Sequence, residues 1–197
     1  MITLAQLMAS TACNAANGTK YLEPLNEAML RFDINTQRRV AAFLATVAVE
    51  SAHLTATEEG LYYSDPARLV KIFPRAFKTV AEATPFAKNP AGLSRKLYEG
   101  YHGRGLIQLT WRKNYIACGD ALQLDIANRP ELLSTPKFAA LSAGWFWSTN
   151  KCNEAADLGD MSKVTGIVNG PAKLHLAERK AQYELAMAAG LDTTNMA

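Results

Sequence analysis

From Val40 to Val49 the chain reads Val-Ala-Ala-Phe-Leu-Ala-Thr-Val-Ala-Val, with Thr46 the one polar residue. A helix with no polar face must be surrounded by other elements. The run therefore predicts a central buried helix over residues 36–51, inside a domain built from helices. Glu50 stands at its end, and Glu59 follows nine residues later in Thr57-Glu-Glu-Gly-Leu-Tyr-Tyr-Ser64. A carboxyl group held against an apolar helix is costly to ionise, while one in a polar, tyrosine-flanked loop ionises readily. Two carboxyls in contrasting surroundings can divide acid and base roles between them. Taken alone, each also fits an ordinary surface charge.

The rest of the chain reads as shorter helices. Thr3-Leu-Ala-Gln6 fits a capping box and opens a helix to about Ser10. Residues 14–21 read as loop and 21–31 as a second helix. Residues 54–64 look extended or irregular. Residues 65–96 place Pro66, Pro74, Pro85 and Pro90 among short helical patterns. They read as a small helical lobe inserted within one domain covering 1–197. Ile107 and Leu109 alternate with Gln108 and Thr110, so the two pairs face opposite sides. A helix from about Trp111 to Leu122 sets Asn114 one turn past Thr110. Pro130 opens a short helix. Residues 138–149 form a second buried helix, in which Trp145 and Trp147 read as core. Residues 171–189 form a terminal helix, with Pro171 at its start and Gly190 past its end. The expected fold is mainly α, with at most a short β-hairpin.

Composition narrows the function. A net charge of +3 without a concentrated basic stripe argues against a nucleic-acid binder. It suits an anionic polymer such as a bacterial wall. Cys13, Cys118 and Cys152 make no CxxC or metal pattern and read as buried, reduced thiols of a protein made in the cytosol. His53, His102 and His175 have no ligand spacing, so neither a metal site nor a cofactor is expected. The first nineteen residues carry no charge but lack a basic n-region, so no signal peptide and no stable membrane anchoring are expected.

Gly103-Arg104-Gly105 is a flexible turn that also lets a bulky ligand approach the main chain. By itself it is an ordinary tight turn. Gln108, Thr110, Trp111 and Asn114 follow it and make a polar, aromatic face. Amides and hydroxyls hydrogen-bond sugar hydroxyls and N-acetyl groups, and aromatic rings pack on sugar faces.

On these residues the chain resembles glycoside hydrolase family 19, to which plant-type chitinases and many phage endolysins belong. Gly103-Arg-Gly-Leu-Ile-Gln-Leu-Thr-Trp-Arg-Lys-Asn-Tyr115 is similar to the family's GRGxxQLTxxxNY. Phe43-Leu-Ala-Thr-Val-Ala-Val-Glu-Ser51 resembles FLAQxAHES, Glu59-Gly-Leu-Tyr-Tyr-Ser64 resembles ENLxYS, and Asn169-Gly170 matches part of INGG. The chain is most similar to the short phage-type endolysins. The resemblance implies a lysozyme-like helical fold of the chitinase class I kind. It implies Glu50 as general acid, Glu59 as general base and Thr110 as holder of the attacking water. It further implies that Gln108, Asn114, Asn169, Tyr62 and Trp111 bind substrate, and that Arg104, Gly103 and Gly105 support the site. Inverting chemistry would need the two carboxyls about 6.5–9.5 Å apart.

The chain departs from the family pattern at several positions. Val49 stands in place of a His, Gly60 in place of an Asn, and Pro171 in place of the second Gly of INGG. Lys113 stands where the plant enzymes carry a Tyr, which counts against chitin. Glu58 is expected to be a solvated neighbour of the base, or to raise its pKa by like-charge repulsion. His102 is expected to be structural or solvated, and Asp157 with Asp160 to form a turn.

The implied activity is that of an endolysin cutting a β-1,4 bond of peptidoglycan glycan strands. Such a monomer, made in a host cytoplasm, would reach the wall in the periplasm through a holin-type lesion. The alternatives are a small chitinase and a non-catalytic glycan-binding protein on the same fold.

Overall fold

A computed structural model describes residues 1–191 and 193, which form eleven α-helices and two short 3-10 helices. No strand occurs among the described residues; the β-pairing consists of isolated bridges, Glu58 with Arg104 and Arg104 with Leu109. No helix there is long and apolar enough to cross a membrane.

The apolar run forms α3 (Gln37–Glu50), capped by the Thr36 side chain. Every residue from Val40 to Ala48 is buried. α3 is enclosed by α1 (Leu4–Thr11), α9 (Cys152–Asp157), α10 (Met161–Asn169) and α11 (Leu176–Ala188). Phe43 of α3 meets Trp147 of α8 (Pro136–Thr149) edge to face, with ring centroids 5.4 Å apart. Trp147 is fully buried and donates its indole N–H to Asn153 Oδ1 at 2.8 Å. Cys13, Cys118 and Cys152 are free and buried.

Three local expectations need correction. Residues 14–21 are not loop: α2 runs Ala15–Arg31, because Asn14 accepts the Asn17 N–H and starts the helix a turn and a half early. Pro24 lies inside α2 without ending it. The terminal helix begins at Leu176, not at Pro171. Gly170, Lys173 and His175 all have positive φ, which no right-handed helix accommodates. Here Pro171 follows the end of α10 instead of opening a helix. Residues 106–110 form a tight turn with Gln108 at φ +54, although Ile107 and Leu109 are buried while Gln108 and Thr110 are half-buried.

A second apolar cluster stands apart from the main core. Leu61, Leu69, Phe77, Ala83 and Leu93 form it, drawn largely from α4 (Pro66–Ile72), α5 (Val80–Ala83) and α6 (Pro90–Tyr98). This cluster positions the C-terminal end of α6 beside the loop that carries Glu58 and Glu59.

Candidate active site

The loop at 57–59 is clamped to the turn at 103–105 by main-chain bonds. Gly105 N donates to Thr57 O at 2.9 Å, and Glu59 N donates to Gly103 O at 2.8 Å. Gly105 is required there, and a side chain at Gly103 would displace Gln108. A Cβ on Gly103 would lie 2.8 Å from Gln108 Oε1, and one on Gly105, where φ is +79, would lie 2.7 Å from Ser142 Oγ.

The clamp aims the Glu59 carboxylate at two donors. Tyr98 Oη donates to its Oε1 at 2.8 Å, and Gly103 N donates to its Oε2 at 3.1 Å. Burial, and then the Glu59 hydrogen bond, push the Tyr98 phenol well above its usual range, so it stays a donor. Each Glu59 oxygen keeps a free lone pair, the arrangement that accepting a proton from water needs.

Glu58 is not a solvated bystander. Its Oε1 pairs with His102 Nε2 at 2.8 Å and with Arg104 Nε at 2.9 Å, although its side chain is 49% exposed. Burial would raise the Glu58 pKa, but the His102 hydrogen bond and the Arg104 charge outweigh it and hold the carboxyl below its usual range. His102 is buried, and its Nδ1 lies 2.6 Å from Ser94 Oγ. Arg104 also donates to the Tyr115 hydroxyl at 3.2 Å, and that hydroxyl donates to His102 O at 2.6 Å. Burial first of all pushes the Tyr115 phenol up to about 12. Glu58, Glu59, Ser94, His102 and Arg104 share the wall of an open cavity of about 610 Å³.

Glu50 lies outside that lining, at the C-terminal end of α3. Apolar surroundings were expected; instead its Oε1 forms a short ion pair with Nη2 of Arg179 in α11. The Glu50 side chain is 16% exposed and that of Arg179 1%. The other guanidinium nitrogens of Arg179 are buried and have no partner among the described residues.

The remaining expected residues divide into two groups. Gln108 Nε2 donates to Gly105 O at 3.1 Å, Thr110 Oγ1 to Gln108 O at 2.9 Å, and Asn114 Nδ2 to Thr110 O at 2.8 Å. These three side chains are thus linked through main-chain carbonyls. Trp111 caps the start of α7 (Arg112–Leu122); it is 50% exposed and meets the Tyr98 ring edge on at 5.3 Å. Tyr62 is 65% exposed. Asn169 accepts the Leu174 N–H at 2.9 Å and so braces the turn after α10. The structure adds Tyr98 and Arg179, which sequence reasoning missed. Neither belongs to a local motif, since each reaches its glutamate across 39 or 129 residues of chain.

The sequence profile of chitinase class I, glycoside hydrolase family 19, matches residues 26–184. The "Inactive chitinase-like protein 1" of Hevea brasiliensis is 50% identical over 50 residues, covering 25% of this chain and 16% of its own. An endochitinase of Phaseolus vulgaris is 34% identical over 114 residues, covering 57% of this chain and 32% of its own. The chain thus spans a third or less of the length of either relative. The crystal structure of chitinase C from Streptomyces griseus HUT6037 superposes with a TM-score of 0.64 at 24% identity, covering 98% of this chain and 78% of that one. At that identity the likeness speaks for the fold. The family profile, by contrast, takes in both glutamates, the clamped turn and Arg179 in one continuous match, and on that extent the chain belongs to the chitinase class I family, glycoside hydrolase family 19.

Proposed function

We propose that the chain hydrolyses β-1,4 glycosidic bonds with inversion, with Glu50 as general acid and Glu59 as general base, and that its substrate is bacterial peptidoglycan. One observation carries the catalytic reading. Glu59 presents a carboxylate held by two donors on the wall of an open cavity, while Glu50 faces a single buried guanidinium at the end of the central helix. The two carboxyls sit on different elements and meet different partners, and the acid and base steps divide between them.

In this mechanism Glu50 gives its proton to the leaving oxygen. Glu59 takes a proton from water that attacks the opposite face of the sugar. Thr110 spends its hydroxyl proton on Gln108 O, so toward a water it acts as an acceptor. Gln108 and Asn114 hold N-acetyl and hydroxyl groups of the glycan. The enzyme works as a monomer without cofactor, and it reaches the wall once a membrane lesion lets it into the periplasm.

The excess of positive charge, with Lys113 and Arg112 beside Trp111, supports the peptidoglycan assignment. Chitin is the second reading, because curated relatives are named as endochitinases. Turnover of purified peptidoglycan against colloidal chitin decides between them, and mass spectrometry of the new reducing ends identifies the bond cut. The name of the Hevea relative keeps a non-catalytic glycan binder in view. Glu59→Gln and Glu50→Gln should each remove nearly all hydrolysis while circular dichroism still shows a folded chain. Unchanged turnover in either variant would sink the assignment.

A further inference from the structure

A second cavity, of about 410 Å³, adjoins the catalytic wall and is lined by Tyr98, Glu99, Trp111, Arg112, Lys113 and Ile116. Tyr98 lines this cavity and also bonds the proposed base. Its hydroxyl holds Glu59, and its ring packs against Trp111. The cavity therefore begins one aromatic ring away from the carboxylate that activates water.

Three features distinguish this cavity. Trp111 is half exposed, and its backbone sits at φ +78, which a bulky residue adopts only at a cost. Its N–H donates to Tyr101 O at 2.8 Å, and its side chain makes no capping bond. Arg112 and Lys113 occupy the first turn of α7, where the helix dipole opposes positive charge, and no acidic residue accompanies them in that turn. Neither cation forms an ion pair among the described residues. Glu99 is the only acidic residue in the lining, so the wall keeps a net positive charge.

We infer that this cavity is a subsite for the carboxylates of the stem peptide carried by a peptidoglycan strand, with Trp111 packing on the sugar that bears the peptide. The inference rests on the peptidoglycan reading above and names how that substrate is told from a neutral one. Arginine takes a carboxylate through two parallel N–H donors, and lysine adds a compact charge. An exposed tryptophan offers the flat apolar face that a pyranose ring packs on. A polymer of N-acetylglucosamine has no charge to offer this wall. A strand bearing stem peptides does, and its charged groups lie beside the glycan as it crosses Glu59.

The test compares the full chain with a double variant, Arg112→Gln with Lys113→Gln. Steady-state KM and kcat are measured on soluble glycan strands with stem peptides, on the same strands with their carboxylates methyl-esterified, and on neutral chito-oligosaccharides. In the double variant KM for the charged strands should rise about tenfold more than KM for the chito-oligosaccharides, with kcat changing less. Esterification or salt of about 0.5 M should produce the same loss in the unaltered chain. Equal losses on charged and neutral glycans, or none on either, overturn the subsite.

If the unaltered chain cleaves only chito-oligosaccharides, the peptidoglycan reading fails on its own. The subsite is then read from inhibition. Charged strands competing with chito-oligosaccharides in the unaltered chain, but tenfold less in the double variant, still establish it. Charged strands that inhibit both proteins alike, or neither, remove it. If peptidoglycan is cleaved equally well by both proteins, the subsite is wrong and the peptidoglycan reading stands.

Discussion

Tyr98 donates its phenolic proton to Glu59 Oε1 across 2.8 Å, tying the end of α6 to the loop that carries the proposed base. α6 packs in the smaller apolar cluster, so that cluster bears directly on where Glu59 points. Tyr98→Phe removes this bond and keeps the ring that packs on Trp111. A hydrogen bond to a charged group is worth about 1.5–3 kcal/mol, so turnover should fall roughly ten- to hundredfold. Rates on a soluble glycan, measured beside the thermal midpoint of each protein, check this. A normal rate would mean that Gly103 N alone positions the base.

Arg179 is almost wholly buried and has Glu50 as its partner. Arg179→Met leaves that carboxylate facing an apolar side chain. Breaking such a pair costs about 3–5 kcal/mol, which for a chain of this size lowers Tm by roughly 6–20 °C. Adding Glu50→Gln removes the stranded charge, so the double variant should be less destabilised than the two single losses added together. Calorimetry of the four proteins measures the coupling directly.

Thr110→Val keeps the shape of the side chain and deletes the hydroxyl. One lost hydrogen bond in the transition state, about 1–3 kcal/mol, corresponds to roughly tenfold to a hundredfold in turnover. Binding should change less, because the bond is made to water and not to the sugar. Titration of uncleaved oligosaccharide into the variant separates the two effects. Weak binding with normal turnover would identify Thr110 as a substrate ligand instead.

Glu58 contributes to stability in a pH-dependent way. Its pairing with His102 and Arg104 holds its folded pKa below the usual 4.5. A depressed carboxyl contributes fully above its unfolded pKa, and that contribution is lost as pH falls through the lower folded value. The stabilisation should therefore be present above about pH 4.5 and disappear in stronger acid. Half-exposure keeps it small through solvent screening. Urea unfolding at neutral pH and near pH 3 should show a narrower gap for Glu58→Gln than for the unaltered chain.

Burial pushes the thiols of Cys118 and Cys152 up to about 12, which leaves almost no thiolate at neutral pH. Alkylation by iodoacetamide should therefore be negligible at both in the folded protein and complete after denaturation. Labelling of either cysteine in the native state would show that α7 or α9 opens locally.

The helical architecture was legible in residue order because its signals are local. The apolar run over Val40–Val49 can be satisfied only by burial on all sides, and Thr3 with Gln6 cap α1 through atoms three residues apart. The Gly103–Asn114 motif was legible as well, and its bonds run over two to four residues. The reading failed where a stretch offers two continuations of similar local energy. Asn14 could end a loop or cap a helix, and Pro171 could open a helix or follow one. The structure chose the cap at Asn14, through its bond to the Asn17 N–H, and the exit at Pro171, where Gly170, Lys173 and His175 take positive φ. The electrostatics of the site were likewise decided only in three dimensions. Glu50 looked apolar because its neighbours in sequence are apolar, yet the charge that faces it comes from a helix 129 residues away. Glu58 looked solvated because it sits in a loop, yet His102 and Arg104 reach it across the clamp. Hydrophobic patterning acts through chain neighbours and can be read along the sequence, whereas a carboxylate's partners are set by which distant side chains the fold brings within hydrogen-bond reach.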